Sequence, residues 1–225
     1  MRIRLCFDLE NELLPIQYRK SIMSFIKLSL SEYSQEGYKM LYNNRDNIIK
    51  PYTFAVFLLN PIFEDENILV ESKKFELNMA IENYNIAIML YNSFNHQKRK
   101  AFPLHNNSMI LQKIVLLPEK EIKEEKIIIK FMSPLVVRSR QEGKDYYYSF
   151  GDEKFLEILK INIREQLRIS NLKTDEVEHF KIEAIQPRKT VIKFYEKQIE
   201  CSLGTYYISG NKELLEYLYK AGMRK

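Results

Sequence analysis

Ile127–Ser149, IIIKFMSPLVVRSRQEGKDYYYS, reads as two strands and a turn. An apolar run enters Ser133-Pro134, a short second strand carries Arg138 and Arg140, and Gly143 turns the chain into Tyr146, Tyr147 and Tyr148. Arginines beside exposed rings on paired strands suit a single-stranded nucleic acid, because guanidinium groups contact phosphates while rings stack on bases. Taken alone, the segment is more simply an ordinary hairpin with a polar edge.

The flanking elements give it a context. Upstream, residues 2–9 alternate as a strand. Ile22, Phe25, Ile26 and Ser29 then mark one face of a helix over Ile16–Leu30. A second short helix is expected over Tyr33–Asn43, a strand over Pro51–Leu59, and one or two strands over Ile68–Ala80. A helix over Tyr84–Phe94 and a strand over Ser108–Leu117 complete the order β-α-β-β-α-β, the ferredoxin-like or RNA-recognition arrangement. After the charged link EKEIKEEK the order recurs, with strands at 127–132 and 135–140 and a helix over Asp152–Leu167. Three further β stretches follow, Phe180–Gln186, Thr190–Tyr195 and Ile199–Ile208, with Arg188 at a turn between the first two. Asn211 precedes a last helix, Glu213–Lys220. The expected fold is α+β, a tandem of ferredoxin-like domains over residues 1–119 and 120–225.

Composition bounds the function. The 225 residues are 45% hydrophobic, enough for folded cores. The start, MRIRLCFDLE, is too charged for a signal peptide, and no apolar run is long enough for a bilayer, so a soluble cytoplasmic protein is expected. Cys6 and Cys201 lack CxxC or Cys/His spacing and are expected as buried thiols in a reducing compartment, with no metal or cofactor. The net charge of +5 allows nucleic acid without requiring it. The basic residues cluster, with Arg188, Lys189 and Lys193 within six positions and Lys98, Arg99 and Lys100 consecutive. Lys189, Val191 and Lys193 share one face of a strand. That face is either the wet side of a sheet or a phosphate-contacting surface.

The chain resembles the CRISPR-associated repeat-cleaving endoribonucleases, the sixth of the numbered Cas proteins, within the RAMP superfamily. The segments that carry the likeness are IIIKFMSPLVVRSR with GKDYYYS, then FGDEKFLEILKINIREQL, then IKFYEKQIECSLGTYYISGNKELLEYLYKAGMRK. The helix from Ile16, IIKPYTFAVFLL and ILQKIVLLPEKEI extend it towards the amino terminus. The resemblance implies the tandem ferredoxin-like fold. It also implies binding of CRISPR repeat RNA, as precursor and as mature guide RNA, by a monomer or homodimer that acts alone or feeds an effector complex. The implied chemistry is a single metal-independent cut, in which a 2′-hydroxyl attacks the adjacent phosphate and leaves a 2′,3′-cyclic phosphate.

Two departures qualify the resemblance. Members usually end in a glycine-rich RNA-contacting loop and a closing strand. Here Ala221-Gly222-Met223-Arg224-Lys225 stands where that loop should start, so Arg224 and Lys225 are candidate RNA contacts and the final loop and strand are expected to be missing from the chain. Many members also carry a catalytic histidine, lysine and first-helix tyrosine. Lys50 matches the lysine, the histidine position falls near Tyr42 or Asn43, and the tyrosine position falls near Phe25. No histidine occurs in residues 1–95, so the histidine scheme does not carry over. The remaining chemistry assigns Lys50 to the transition-state charge and Tyr42 to orienting the nucleophile or donating a proton. The alternatives are a solvated lysine at a strand entry and a half-buried ring capping a helix. His96, His105 and His179 are expected as ordinary exposed or hydrogen-bonded histidines. The alternative functions are a repeat-RNA-binding relative that cuts weakly or not at all, and a structural subunit of an effector complex.

Overall fold

Alternation in RIRLCFDL makes Arg2–Leu9 (β1) a strand whose residues Ile3, Leu5, Phe7 and Leu9 are all buried. The computed structural model describes residues 1–42, 49–194 and 197–224. The chain divides into two compact units, Met1–Glu119 and Lys120–Lys225.

In the first unit β1 is followed by Leu13–Pro15 (β2), Tyr18–Tyr33 (α1), Gln35–Tyr42 (α2) and Tyr52–Leu58 (β3). Then come Ile62–Phe63 (β4), Asn67–Leu69 (β5), Lys74–Ile81 (β6), Tyr84–Gln97 (α3), Ala101–Leu104 (β7) and Asn107–Leu117 (β8). The main sheet has the order β3-β6-β1-β8-β7 with antiparallel neighbours, and β2, β5 and β4 form a small second sheet. The four long strands carry the ferredoxin-like order, β8-β1-β6-β3. Helices α1 and α3 supply Ile22, Phe25, Ile26, Leu30, Ala87, Leu90 and Phe94 to the core. Phe25 is its hinge, meeting Phe7 edge-on at 5.3 Å and stacking on Phe94 at 5.9 Å. Asn83 caps α3 by accepting the Ile86 N–H at 3.1 Å.

The second unit contains Lys126–Leu135 (β9), Val137–Gln141 (β10), Lys144–Tyr148 (β11) and Phe155–Ile169 (α4). A 3-10 turn at Asp175–His179 leads to Lys181–Phe194 (β12), Lys197–Ser209 (β13) and Lys212–Ala221 (α5). Among the described residues β12, β13 and β9 form a three-stranded antiparallel sheet in that order. Its core joins Phe155, Leu159 and Ile163 of α4 to Tyr206, Ile208, Leu215 and Leu218. Asn211 caps α5 by accepting the Leu214 N–H at 2.8 Å. β10 and β11 pair across Glu142-Gly143, with φ of 49° and 78°, the two positive angles a tight two-residue hairpin turn requires. This chain follows the tandem ferredoxin-like plan.

Three expectations need correction. Arg188 is not at a turn. It lies inside the continuous 14-residue strand β12, opposite Leu203, because Pro187 is accepted on an edge strand, where its missing N–H costs no ladder bond. Likewise β9 runs on through Ser133-Pro134 to Leu135, with an irregularity opposite Ser202 and Gly204 absorbing the proline. Cys6 is half-buried rather than buried, since alternation puts it on the face of β1 opposite the core, whereas Cys201 is fully buried. Both are free thiols. Asn43 and Tyr195, expected at the ends of a helix and a strand, lie outside the described residues.

Gly204 sits at φ 110° opposite Pro187, and a Cβ there would lie 2.0 Å from the Gln186 carbonyl oxygen. Gly204→Ala is therefore expected to destabilise the second unit by about 1–3 kcal/mol. A urea midpoint equal to the parent's would show that the β12–β13 pair relaxes around the methyl group.

Candidate active site and RNA-facing residues

Tyr38 and Tyr42 are four residues apart on α2 and so share one face, their rings 5.4 Å apart. Tyr42 is the last residue of α2 among the described residues, and carbonyls of this turn can take partners from outside the helix. Lys50 supplies one, its Nζ donating to the Leu41 carbonyl oxygen at 2.5 Å. A cation is also favoured at this end by the helix dipole. The same ammonium stands 4.9 Å from the centre of the Tyr42 ring, and Lys27 of α1 brings a second ammonium to 5.3 Å. Tyr52, the first residue of β3, is 5% exposed, and its hydroxyl pairs with that of Tyr42. Tyr42 is thus the centre of a cluster drawn from α1, α2, Lys50 two residues before β3, and β3 itself.

The electrostatics follow from burial and like charge. Burial pushes the Tyr42 phenol up, partly offset by the Tyr52 hydrogen bond, and it pushes Tyr52 much further up. Burial lowers the Lys50 ammonium, and Lys27 lowers it further by like-charge repulsion. The phenols stay protonated at neutral pH and are donors, not bases. With Tyr52 as the donor in the hydrogen bond between the two hydroxyls, the Tyr42 hydroxyl keeps its own proton to offer an incoming oxygen. The cluster can neutralise one anion and hydrogen-bond to it.

Lys50 and Tyr42 were chosen from sequence and come together here; Lys27, Tyr38 and Tyr52 were not. The i,i+4 spacing of Tyr38 and Tyr42 was a readable signal for Tyr38. Lys27 had none, since it falls outside the buried stripe of α1. Phe25, at the family's tyrosine position, is core. All three histidines are exposed: His96 in the last turn of α3, His105 in the turn between β7 and β8, and His179 at the end of the 3-10 turn. The run Lys98-Arg99-Lys100 forms the tight link from α3 to β7, where Lys100 pairs with Glu32 at 3.8 Å. Among the described residues no group of three or more His, Cys, Asp and Glu is placed to hold a metal ion. Nor is any helix among them long and apolar enough to cross a membrane.

The RNA-facing candidates fall into two strands and the carboxy-terminal end. Arg138 and Arg140 sit two apart on β10, hence on one face, opposite Tyr147 and Asp145. Arg138 pairs with Asp145 at 3.8 Å, and Asn162 clamps its backbone, accepting its N–H at 3.2 Å and donating to its carbonyl at 2.9 Å. Arg140 is exposed. On β12, Arg188 is exposed, while Lys189 points to the other side and is held by Glu200 at 2.6 Å, which raises its pKa. Lys193 belongs to β12, but its side chain lies outside the described residues, as does Lys225 entirely. Arg224 turns back into its own unit, with its N–H on Gln166 at 3.0 Å and its guanidinium on the Tyr217 hydroxyl at 3.1 Å.

Residues 117–223 match the family described as CRISPR associated protein Cas6, C-terminal. The second half of the chain therefore carries a Cas6 C-terminal domain. Among solved structures it is similar to a protein described as a Cas6-related gene product from Pyrococcus furiosus, at 23% identity and TM-score 0.86, covering 100% of this chain and 93% of that one. It is also similar to one described as a RAMP protein binding different RNA substrates, at 21% identity and TM-score 0.85, covering 100% and 95%. A Cas6 product complex is similar at 14% identity and TM-score 0.70, covering 99% and 95%. None of the curated proteins matches the chain. At these identities the likeness to solved structures establishes the fold. The Cas6 domain match lies almost entirely in the second unit, and the Tyr42 cluster lies in the first.

Tyr42→Phe removes the partner of a buried Tyr52 hydroxyl, and is expected to cost about 1–3 kcal/mol of stability. Because folding raises both phenol pKa values, the stability they contribute is present below about pH 10 and is lost as pH rises through the folded values. An alkaline absorbance titration of the 15 tyrosines should show the Tyr42–Tyr52 pair ionising later than the exposed ones, with the buried Tyr206 as a third late group. Normal ionisation of both would mean the pair is open to water.

Proposed function

We propose that this chain binds CRISPR repeat RNA and cuts it once, without metal, by attack of a ribose 2′-hydroxyl on the adjacent phosphate. The observation that carries this reading is the convergence of the Lys50 ammonium and the Tyr42 phenol in a chain with a Cas6 C-terminal domain. The 2′-oxygen bonds to phosphorus as the bond from phosphorus to the 5′-oxygen breaks, giving a 2′,3′-cyclic phosphate and a 5′-hydroxyl. Water takes the proton from the 2′-hydroxyl and supplies one to the leaving oxygen. Lys50 neutralises the charge that builds on the phosphate, and Tyr42 donates a hydrogen bond to it. Holding the two oxygens in line is the larger contribution such a site makes without a good general base. A positioned acid or base is worth roughly 100- to 10,000-fold, so cutting is slower than in relatives that carry a histidine.

A second reading, a repeat-RNA-binding relative that does not cut, is favoured by the absence of histidine from residues 1–95. Incubation of the full chain with its own repeat RNA in EDTA separates the two. The cutting reading expects one break and a cyclic phosphate end. Tight binding with intact RNA establishes the second reading. Lys50→Ala should slow the cut about 100-fold with binding little changed; parental rates would remove Lys50 from the mechanism. The rate should also fall on raising the pH through the lowered Lys50 pKa, below the ordinary lysine range, because the ammonium is the working form.

Arg188 and Lys189 differ in what binding must undo. Arg188 is exposed, whereas Lys189 has to leave Glu200. Arg188→Ala is expected to reduce the slope of log affinity against log salt by about 0.7, and Lys189→Ala by less. An unchanged slope for Arg188→Ala would exclude it as a phosphate contact.

A further inference from the structure

Lys27 is exposed on α1, outside the stripe of Ile22, Phe25, Ile26, Ser29 and Leu30 that α1 buries. A lysine so placed ordinarily extends into water. Here its ammonium is instead brought to 5.3 Å from the Tyr42 ring, the same ring that the Lys50 ammonium approaches at 4.9 Å. Two cations drawn to one ring repel each other, and an anion between them removes that repulsion while gaining attraction from both. The ring adds a hydroxyl whose proton is held well into the alkaline range. A phosphodiester suits this arrangement: one negative charge shared by two non-bridging oxygens, one for each ammonium, with the phenol as a further donor.

We propose that Lys27 is a second phosphate ligand of this site, so that Lys27 and Lys50 together hold one phosphodiester of single-stranded RNA against Tyr42. This takes the identity of the ligand from the function proposed above. Lys27 brings α1 into the site, since Phe25 and Ile26 just before it are committed to the core. Two ammonium groups on one phosphate also fix its orientation, which a single lysine, a point charge with rotatable donors, does not.

The test uses the full chain, its repeat RNA, and the same RNA with a 2′-deoxy residue at the cut, which binds but cannot react. Lys27→Gln, Lys27→Arg and, as a control for loss of one surface charge, Lys39→Gln are compared with the parent. The Lys50 titration is followed by NMR of labelled lysine side chains. The expected results for Lys27→Gln are uncleavable RNA bound about tenfold more weakly, cutting slowed about 10- to 100-fold, and Lys50 titrating closer to the ordinary lysine value. Lys27→Arg should restore most of the binding, Lys39→Gln should behave as the parent, and the uncleavable RNA should itself raise the Lys50 pKa in the parent. Parental affinity and an unmoved Lys50 titration in Lys27→Gln would overturn the proposal and leave the cleavage reading standing. A parent that binds without cutting would overturn the cleavage reading, while binding and titration still decide the role of Lys27. A parent that does not bind repeat RNA would overturn both.

Discussion

Burial of one face of β1 is the constraint from which the candidate site follows. Ile3, Leu5, Phe7 and Leu9 all point to that face, and each needs apolar neighbours to leave water. Phe25 meets Phe7 edge-on and stacks on Phe94, so α1 and α3 are locked to the strand through three rings. With the buried stripe of α1 fixed, Lys27 two residues beyond Phe25 is fixed as well. The chain then turns at Ser34, which donates its backbone N–H to Leu30 and accepts that of Gly37, starting α2 directly. The short α2 ends with Tyr42 beside the entry to β3, where Tyr52 is buried in the same core. The site is a consequence of packing around Phe25, and its polar groups occupy the places where helix ends and strand starts leave backbone to be satisfied.

That origin explains the chemistry available to it. A carboxylate or imidazole would provide a base near neutral pH, but the groups that packing brings here are phenols and ammoniums. Burial works against ionising either phenol and against keeping the Lys50 charge, so the cluster is most stable with the phenols protonated and an anion nearby. Such a site would favour charge build-up on a phosphate placed against it and would do little to move protons.

Much of the fold was legible because its signals are local. Strand alternation in RIRLCFDL, the helical stripe of Ile22, Phe25 and Ile26, and the asparagine before the last helix, Asn211, each depend on residues within a turn or two. Pro187 misled the reading of β12. A proline breaks a central strand, but β12 is an edge, and edge position is a property of the whole sheet that no window of sequence contains. The long irregular pairing opposite Gly204 was hidden for the same reason. In the site, Lys50 and Tyr42 were reached through family likeness, and Tyr52 lies just beyond Lys50 without a pattern to mark it. Lys27 needed the packing of α1 to be known.

The same distinction separates the basic residues. A sequence counts Arg138, Lys189 and Arg224 as equal cations to Arg140 and Arg188, but the fold has already engaged the first three. Arg138 lies beside Asp145, Lys189 is held by Glu200, and Arg224 is folded onto Tyr217. An exposed ion pair is worth little to stability, about 0–1 kcal/mol, so Glu200 is a weak anchor and Lys189 can still exchange it for a phosphate. Arg224 is different, because its backbone and guanidinium are both tied into the second unit and releasing them would loosen the end of α5. Net charge therefore overstates what the surface offers an RNA. The useful cations are those that packing places at a surface without giving them a carboxylate, and among the described side chains of β10 and β12 these include Arg140 and Arg188.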